Sequence, residues 1–248
     1  MGTISTVLRY APKFIGFALR RFTFKQEKKK LDVKEARLRA FKIVHQHTHD
    51  ILKATKTKVV TNGLENIPKD VPVLFVGNHQ SIFDVVAHMS QMEKPTIFIA
   101  KKELRALPVF GKWMEEMGCL FLDRESPREA VKVINEAARR MREEEVNGAI
   151  YPEGTRSRSS QVNEFQRGSF KLAEKAGSPV VPVMIDGAYK VLEGEGKLQE
   201  NQTIYLKFLP PIYIDQLSKE ESKVIHKTVR QLLVDEITAI HQSQGKMK

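Results

Sequence analysis

Apolar residues along this chain follow two rhythms. Short, nearly unbroken apolar runs recur at 71–76, 96–100, 119–123, 149–152, 180–185 and 203–208. Runs of that length, bounded by polar residues and turn formers, read as buried strands. Between them, apolar side chains return every three or four positions. Segments 82–92, 109–117, 127–145, 165–176 and 219–241 therefore read as helices. Strands alternating with helices predict an α/β fold with a mostly parallel central sheet covered by helices.

The first 57 residues break this alternation. Ile4, Leu8, Ala11, Ile15, Ala18 and Phe22 recur at helical spacing, with Phe14 and Phe17 flanking them. Residues 25–32 form a charged turn, and 33–56 read as a second helix. The expected organisation is an N-terminal amphipathic two-helix hairpin over 1–57 and an α/β domain over 58–248. The apolar face of the first helix has two readings. It either packs on the core or lies in a membrane interface.

Charge favours the membrane. The formal net charge is +11. Residues 1–30 hold eight Lys and Arg against the single acid Glu27, leaving 33 basic and 29 acidic residues elsewhere. A nucleic-acid binder spreads its basic stripe over the folded domain, so no nucleic-acid partner is expected. A short basic amphipathic end suits anionic lipid. Lys13 interrupts the apolar stretch well short of the ~20 residues a span needs, and no cleavage site of a secretory signal follows it. The expectation is peripheral or monotopic attachment to the cytoplasmic face of the cell membrane. One cysteine, Cys119, excludes an intramolecular disulfide and fits a reducing compartment. His45 and His49 share a helix face without a third ligand, so no metal site is expected.

The densest chemistry lies at Asn78-His79-Gln80-Ser81-Ile82-Phe83-Asp84. His79 falls in the turn leaving a strand. Ser81 suits the N-cap of the next helix, which places Asp84 in its first turn. From there Asp84 can reach back to one imidazole nitrogen and leave the other facing a substrate, as an orienter does for a general base. A plainer reading makes Asp84 the capping-box partner of Ser81 and His79 a loop residue. Two further clusters end strands. In Glu153-Gly154-Thr155-Arg156, glycine permits a sharp turn and arginine offers a planar fork for an anion. The other is Phe121-Leu122-Asp123-Arg124. The plainer readings are a turn with a surface ion pair, and an Arg124 paired to Asp123 or Glu125. Lys101-Lys102 ends another strand and reads equally as a solvated end. In open α/β sheets, clusters at the carboxyl ends of separate strands can share one site. There is no G-x-S-x-G elbow, H-E-x-x-H helix or phosphate-binding G-x-x-x-x-G-K loop.

With these clusters in hand, the chain resembles the 1-acylglycerol-3-phosphate (lysophosphatidate) acyltransferases. The family's N-H-x-x-x-x-D block stands at Asn78–Asp84. Its G-x-x-F-x-x-R block stands at Gly118-Cys119-Leu120-Phe121-Leu122-Asp123-Arg124, and its E-G-T-R-S block at 153–157. A V-P-V strand stands at Val181-Pro182-Val183. Four blocks in order over 78–183 are highly specific. The resemblance implies transfer of a fatty acyl group from a thioester, acyl-CoA or acyl-carrier protein, to the sn-2 hydroxyl of lysophosphatidic acid, giving phosphatidic acid. His79 held by Asp84 would take the hydroxyl proton. No protein nucleophile and no cofactor are needed, because the acceptor itself attacks. Arg124, Arg156 and Lys101 would bind the acceptor's phosphate. Glu153 would fix Arg156 or accept from a glycerol hydroxyl, and Gly154 and Thr155 would complete the binding turn. Gly154 and the backbone of 181–183 are the candidate oxyanion donors. Glycerol-3-phosphate or another lysophospholipid remains an alternative acceptor. A non-catalytic basic membrane or nucleic-acid binder would leave the four blocks unexplained.

Overall fold

In the computed structural model, which describes residues 2–123 and 125–245, the buried runs become strands of one sheet. They are β1 (Lys58–Asn62), β2 (Leu74–Gly77), β3 (Thr96–Lys101), β4 (Leu120–Leu122), β5 (Asn147–Ile150), β6 (Val180–Asp186) and β7 (Thr203–Phe208). Their order is β1-β7-β6-β2-β5-β3-β4. All neighbours run parallel except β6 and β7. The fold is thus the mixed, mostly parallel sheet that the alternation predicts. The helices are α1 (Gly2–Lys28), α2 (Val33–Ala54), α3 (Ile82–Met89), α4 (Phe110–Glu116), α5 (Pro127–Glu144), α6 (Lys171–Ala176) and α7 (Lys219–Gly245).

Strand side chains alternate between faces, and here both faces are covered. Phe75, Phe98, Val181, Val183 and Ile185 join Phe17, Phe24, Phe41 and Trp113 under α1, α2 and α4. Leu74, Val76, Ile97, Ile150 and Met184 join Ile134, Met141, Leu172 and Val229 under α5, α6 and α7. Burial on both faces is why the strand sequences read as continuous apolar runs rather than as an alternation.

Several expectations need correction. Strand β1 was not legible, because at the sheet's edge no residue of Lys58-Val59-Val60-Thr61-Asn62 is fully buried. Strand β5 begins two residues earlier than expected, with Asn147 and Gly148. Asn147 Oδ1 accepts from the Val73 amide at 3.1 Å, and Gly148 lies where a Cβ would strike Met141 Sδ at 2.8 Å. The helix expected over 165–176 is a 3-10 turn at Arg167–Phe170 followed by α6. The charged segment after residue 24 extends α1 to Lys28, since Lys25-Gln26-Glu27-Lys28 are all good helix formers. The reversal falls at 29–32, where Asp32 caps α2: Glu35 N donates to Asp32 Oδ1 at 2.8 Å and Asp32 N to Glu35 Oε2 at 3.1 Å.

Helix α1 has two apolar faces, not one. Phe17 and Phe24 are buried, Phe17 lying between His47 at 3.7 Å and Trp113 at 5.2 Å. Leu8, Ile15, Leu19 and Phe22 are all more than half exposed. The first helix therefore both packs on the core and presents an apolar stripe outward. Among the described residues, no helix is long and apolar enough to cross a membrane.

Candidate active site

Because β6, β2, β5, β3 and β4 are consecutive and parallel, their carboxyl ends form one edge. His79 follows β2, Glu153 follows β5, Lys101 ends β3, Asp123 follows β4 and Asp186 ends β6. The connections run straight from strand end into turn or helix, so short-range sequence sets where each polar group stands.

His79 Nδ1 lies 2.7 Å from Asp84 Oδ2. The same oxygen accepts from the amides of Gln80 at 2.6 Å and Ser81 at 2.8 Å. Ser81 Oγ in turn accepts from Phe83 N at 3.0 Å. The capping and orienting readings of Asp84 are therefore one geometry. An oxygen already receiving two fixed N–H donors acts as an acceptor, so Nδ1 carries the hydrogen and Nε2 holds the lone pair. Among the described residues nothing bonds Nε2, and the imidazole keeps 19% of its surface exposed. Asp84 is fully buried. Burial pushes its carboxyl up, against the opposing pull of His79 and the two amides. The imidazole stacks on Tyr151 at 4.6 Å and 15°. Gly77 makes room for that ring, since a Cβ there would sit 3.1 Å from Tyr151 Cε1. The Tyr151 hydroxyl meets His88 Nδ1 at 3.3 Å, and burial holds His88 down at about 3.

Three groups fix the His79 backbone. Asn78 acts as a side-chain extension of the sheet, its Nδ2 donating to Ile185 O at 2.8 Å and its Oδ1 accepting from Ile185 N at 2.9 Å. Glu153 Oε1 accepts from His79 N at 2.6 Å and Oε2 from Asn163 N at 3.0 Å. Ser157 N donates to His79 O at 2.8 Å. Glu153 is almost wholly buried, and burial pushes its carboxyl up. It does not meet Arg156, which corrects the expectation that it would fix that side chain. Both of its oxygens are taken by backbone amides. Gly154 turns the chain at φ +76° and its amide donates to Tyr151 O at 3.2 Å, which engages that candidate oxyanion donor. Val181-Pro182-Val183 lies inside β6, buried between β2 and β7, so its backbone is not available to a ligand either.

Arg156 is exposed and pairs instead with Glu193, at 2.8 Å. Glu193 also accepts from Ile82 N at 3.0 Å and from Ser81 Oγ. No local pattern marks Glu193, which arrives from 112 positions beyond Ser81 on the loop after β6. Thr155 is exposed. Lys101 is half exposed and pairs with Glu103 at 3.4 Å. It lies two strands from β2, about 10 Å at ordinary strand spacing. Arg124 lies outside the described residues. Asp186, also unforeseen, accepts from Gln80 Nε2 at 3.1 Å and faces His241 Nε2 at 2.8 Å, tying α7 to the residue beside His79. Among the described residues, no group of three or more His, Cys, Asp or Glu side chains is placed to hold a metal ion.

The arrangement can accept a proton at Nε2 and stabilise the resulting imidazolium through Asp84. An exposed guanidinium stands close by, linked to the same helix start. The family model described as Acyltransferase matches residues 58–186, just over half of the chain. A Borreliella burgdorferi protein named 1-acyl-sn-glycerol-3-phosphate acyltransferase is 30% identical over 183 residues, covering 74% of this chain and 73% of that one. The Escherichia coli protein of the same name is 28% identical and covers 67% of each. Among solved structures, the 1-acyl-sn-glycerophosphate (LPA) acyltransferase of Thermotoga maritima superposes with a TM-score of 0.80. It is 26% identical and covers 96% of this chain and 95% of that one.

Proposed function

Since this chain belongs to the 1-acylglycerol-3-phosphate acyltransferase family, we propose that it transfers a fatty acyl group from a thioester to the sn-2 hydroxyl of lysophosphatidic acid. The product is phosphatidic acid, a precursor for phospholipid synthesis. The observation that carries the reading is the His79 Nδ1–Asp84 Oδ2 contact of 2.7 Å with Nε2 left open.

His79 Nε2 takes the proton of the acceptor hydroxyl as its oxygen attacks the thioester carbonyl. Asp84 fixes the tautomer before attack and stabilises the imidazolium afterwards. Collapse of the tetrahedral intermediate forms the new ester and breaks the carbon–sulfur bond, and the thiolate recovers the proton from His79. The amides of Thr155 and Arg156 bond nothing among the described residues. They follow the left-handed Gly154 beside the backbone that holds His79 and are the donors assigned to the oxyanion. Arg156 binds the acceptor's phosphate, leaving Glu193 for it, with Lys101 as a further cation on the same edge and Arg124 added from the sequence motif alone. Glu153 serves the site through the His79 backbone rather than through substrate. Acyl-CoA and acyl-carrier protein are both suitable donors.

The acceptor and product dwell in a bilayer, and the outward stripe of α1 suits attachment to an anionic membrane surface from the cytoplasmic side. The test is thiol release from acyl-CoA and from acyl-carrier protein, with and without lysophosphatidate, by the wild type and by His79→Ala. Lysophosphatidate-dependent release lost at least ~10²-fold in a folded His79→Ala variant is the expected result. Near-normal turnover by that variant refutes the mechanism. Turnover only with an unphosphorylated acceptor refutes the substrate.

A further inference from the structure

The hairpin holds a second feature. Between α1 and α2 lies an open groove of about 470 Å³, none of whose lining residues belongs to the site around His79. Four cations line it: Lys13 and Arg20 from α1, Arg39 and Lys42 from α2. Two carboxylates answer them. Asp50 pairs with Lys13 at 3.1 Å, and Glu27 is shared by Arg20 at 2.7 Å and Arg39 at 3.0 Å. Lys42 has no ion partner among the described residues. The groove therefore keeps a surplus of two positive charges. Its floor is apolar at Phe17, and Gly16 leaves it open: a Cβ at Gly16 would meet nothing within 4 Å.

Position on the helix says what could enter. At about 100° per residue, Leu8, Ile15, Leu19 and Phe22 fall within one narrow outward stripe, with Phe17 and Phe24 on the opposite side. Gly16, Arg20 and Lys13 lie between the two, so the groove opens directly beside the stripe. A helix whose apolar face sinks about 5–10 Å into the boundary of headgroups and acyl chains brings its flanks to headgroup depth. The volume lies within the range usual for small-ligand sites. Paired, partly satisfied cations beside an apolar surface match a phosphate that carries acyl chains, more closely than a free anion without them.

We propose that the α1–α2 groove binds the phosphate headgroup of an anionic phospholipid, at a place separate from the acceptor's site. The inference rests on the interfacial placement of α1 proposed above. It adds a discrete, saturable lipid seat to what would otherwise be a diffuse attraction. One lipid held between the two helices would also fix the azimuth of the hairpin, and with it the direction in which the strand ends face the bilayer.

Trp113, the single tryptophan, stacks on Phe17 at 5.2 Å and donates its indole N–H to Phe17 O at 3.3 Å. Its fluorescence should therefore report occupancy. The full chain is titrated with dihexanoyl phosphatidylglycerol below its micellar concentration, with dihexanoyl phosphatidylcholine, and with inorganic phosphate. Isothermal titration calorimetry gives a second readout. Gly16→Leu fills the groove without a steric clash at its Cβ, and Lys42→Glu reduces its charge. Saturable binding of phosphatidylglycerol, at least tenfold tighter than either comparison ligand and weakened at least tenfold in both variants, is expected. Both variants should keep wild-type turnover on a soluble short-chain acceptor. Unchanged phosphatidylglycerol binding by Gly16→Leu, or no saturable binding by either readout, overturns the proposal. So does inorganic phosphate binding as tightly as the lipid. Vesicle sedimentation of a Leu19→Ser, Phe22→Ser variant separately decides whether α1 lies in the interface at all, so failure of the seat and failure of the placement are distinguishable.

Discussion

Replacing Asp84 by Asn separates what its charge does from what its shape does. One oxygen of Asp84 receives three donors: the imidazole at 2.7 Å and the amides of Gln80 and Ser81 at 2.6 and 2.8 Å. The two backbone donors cannot turn away. An asparagine must therefore present its oxygen to them, and that oxygen also faces Nδ1. The tautomer with the lone pair on Nε2 is kept. The amide nitrogen takes the place of Oδ1, which is buried without a partner. Two consequences follow. Hydrogen bonds to a charged group contribute about 1.5–3 kcal/mol against about 0.5–1.5 for neutral pairs, so the imidazolium loses roughly 1–2 kcal/mol of stabilisation. Turnover should fall about 5- to 30-fold. The unpaired buried amide should cost about 1–3 kcal/mol of stability. Asp84→Ala removes both effects of the oxygen and should lose far more activity, because no hydrogen bond then sets the tautomer of the imidazole. The assay is steady-state thiol release with lysophosphatidate varied, alongside denaturant unfolding. KM for the acceptor should change little. Wild-type turnover in Asp84→Asn would show that no charge develops on His79. A loss near 10⁴-fold would show that the amide faces Nδ1 in the flipped orientation and that the backbone does not set the tautomer.

Arg156→Ala should raise KM for lysophosphatidate about tenfold or more, as expected for one lost charge-assisted bond, with little effect on any acceptor lacking phosphate. Equal losses on both acceptors would make Arg156 structural. Glu193→Gln removes the ion partner that Arg156 has at 2.8 Å and should alter the same KM by a smaller factor with kcat retained; a loss confined to kcat would contradict this. Changing Leu8, Ile15, Leu19 and Phe22 together to Ser should release the protein from anionic vesicles in moderate salt, since full burial of each such side chain is worth roughly 1.5–3 kcal/mol. Undiminished vesicle sedimentation would put the membrane contact elsewhere. Burial holds the His47 imidazole down at about 4 from an ordinary 6.5. The unfolded chain therefore takes up a proton that the native one refuses. The stability contributed by His47 is complete above pH 6.5 and is lost as pH falls towards 4, by at most about 1.4 kcal/mol per unit. His47→Phe should flatten that slope in denaturant midpoints measured between pH 7 and 4.5, and an unchanged slope would refute the assignment.

The sequence made the sheet legible where burial is two-sided. At β6 every residue is buried, and the apolar run from Val180 to Ile185 marks it almost to the residue. It failed where a strand lies at the edge, as in β1, or starts on residues that read as a turn, as in Asn147-Gly148. There the deciding contacts are the Val73 amide and Met141, both distant in sequence. The site divides in the same way. His79 and Asp84 interact across five residues, so helix-start geometry alone places them. Glu193 and Asp186 come from beyond residue 185, and no local pattern announces a carboxylate that will cap a helix more than a hundred positions earlier. Glu153 was singled out for the right neighbourhood and the wrong contact. The family resemblance implies that Glu153 fixes Arg156 or meets a glycerol hydroxyl. The fold instead turns the acid inward onto two amides and leaves Arg156 to Glu193.

The spacing of His79 and Asp84 follows from the same geometry. Ser81 caps α3, so residue 84 is the first-turn position whose side chain points back past the helix start. A carboxylate one residue earlier or later would be rotated by about 100° and would miss the amides of Gln80 and Ser81. The two amides are needed because a carboxylate buried this deeply pays for lost hydration unless its donors are in place. They also hold its oxygen where the imidazole meets it. The remaining freedom is that of the His79 backbone. Asn78 bonded to β6, Glu153 bonded to the His79 amide and Ser157 bonded to its carbonyl remove it from three directions. Each of these partners acts on main chain and leaves the ring's outer nitrogen unencumbered. A base so located needs no rearrangement when an acceptor arrives. Activity should therefore be more sensitive to substitutions at Asn78 and Glu153, which never need touch substrate, than their distance from the open nitrogen alone would suggest.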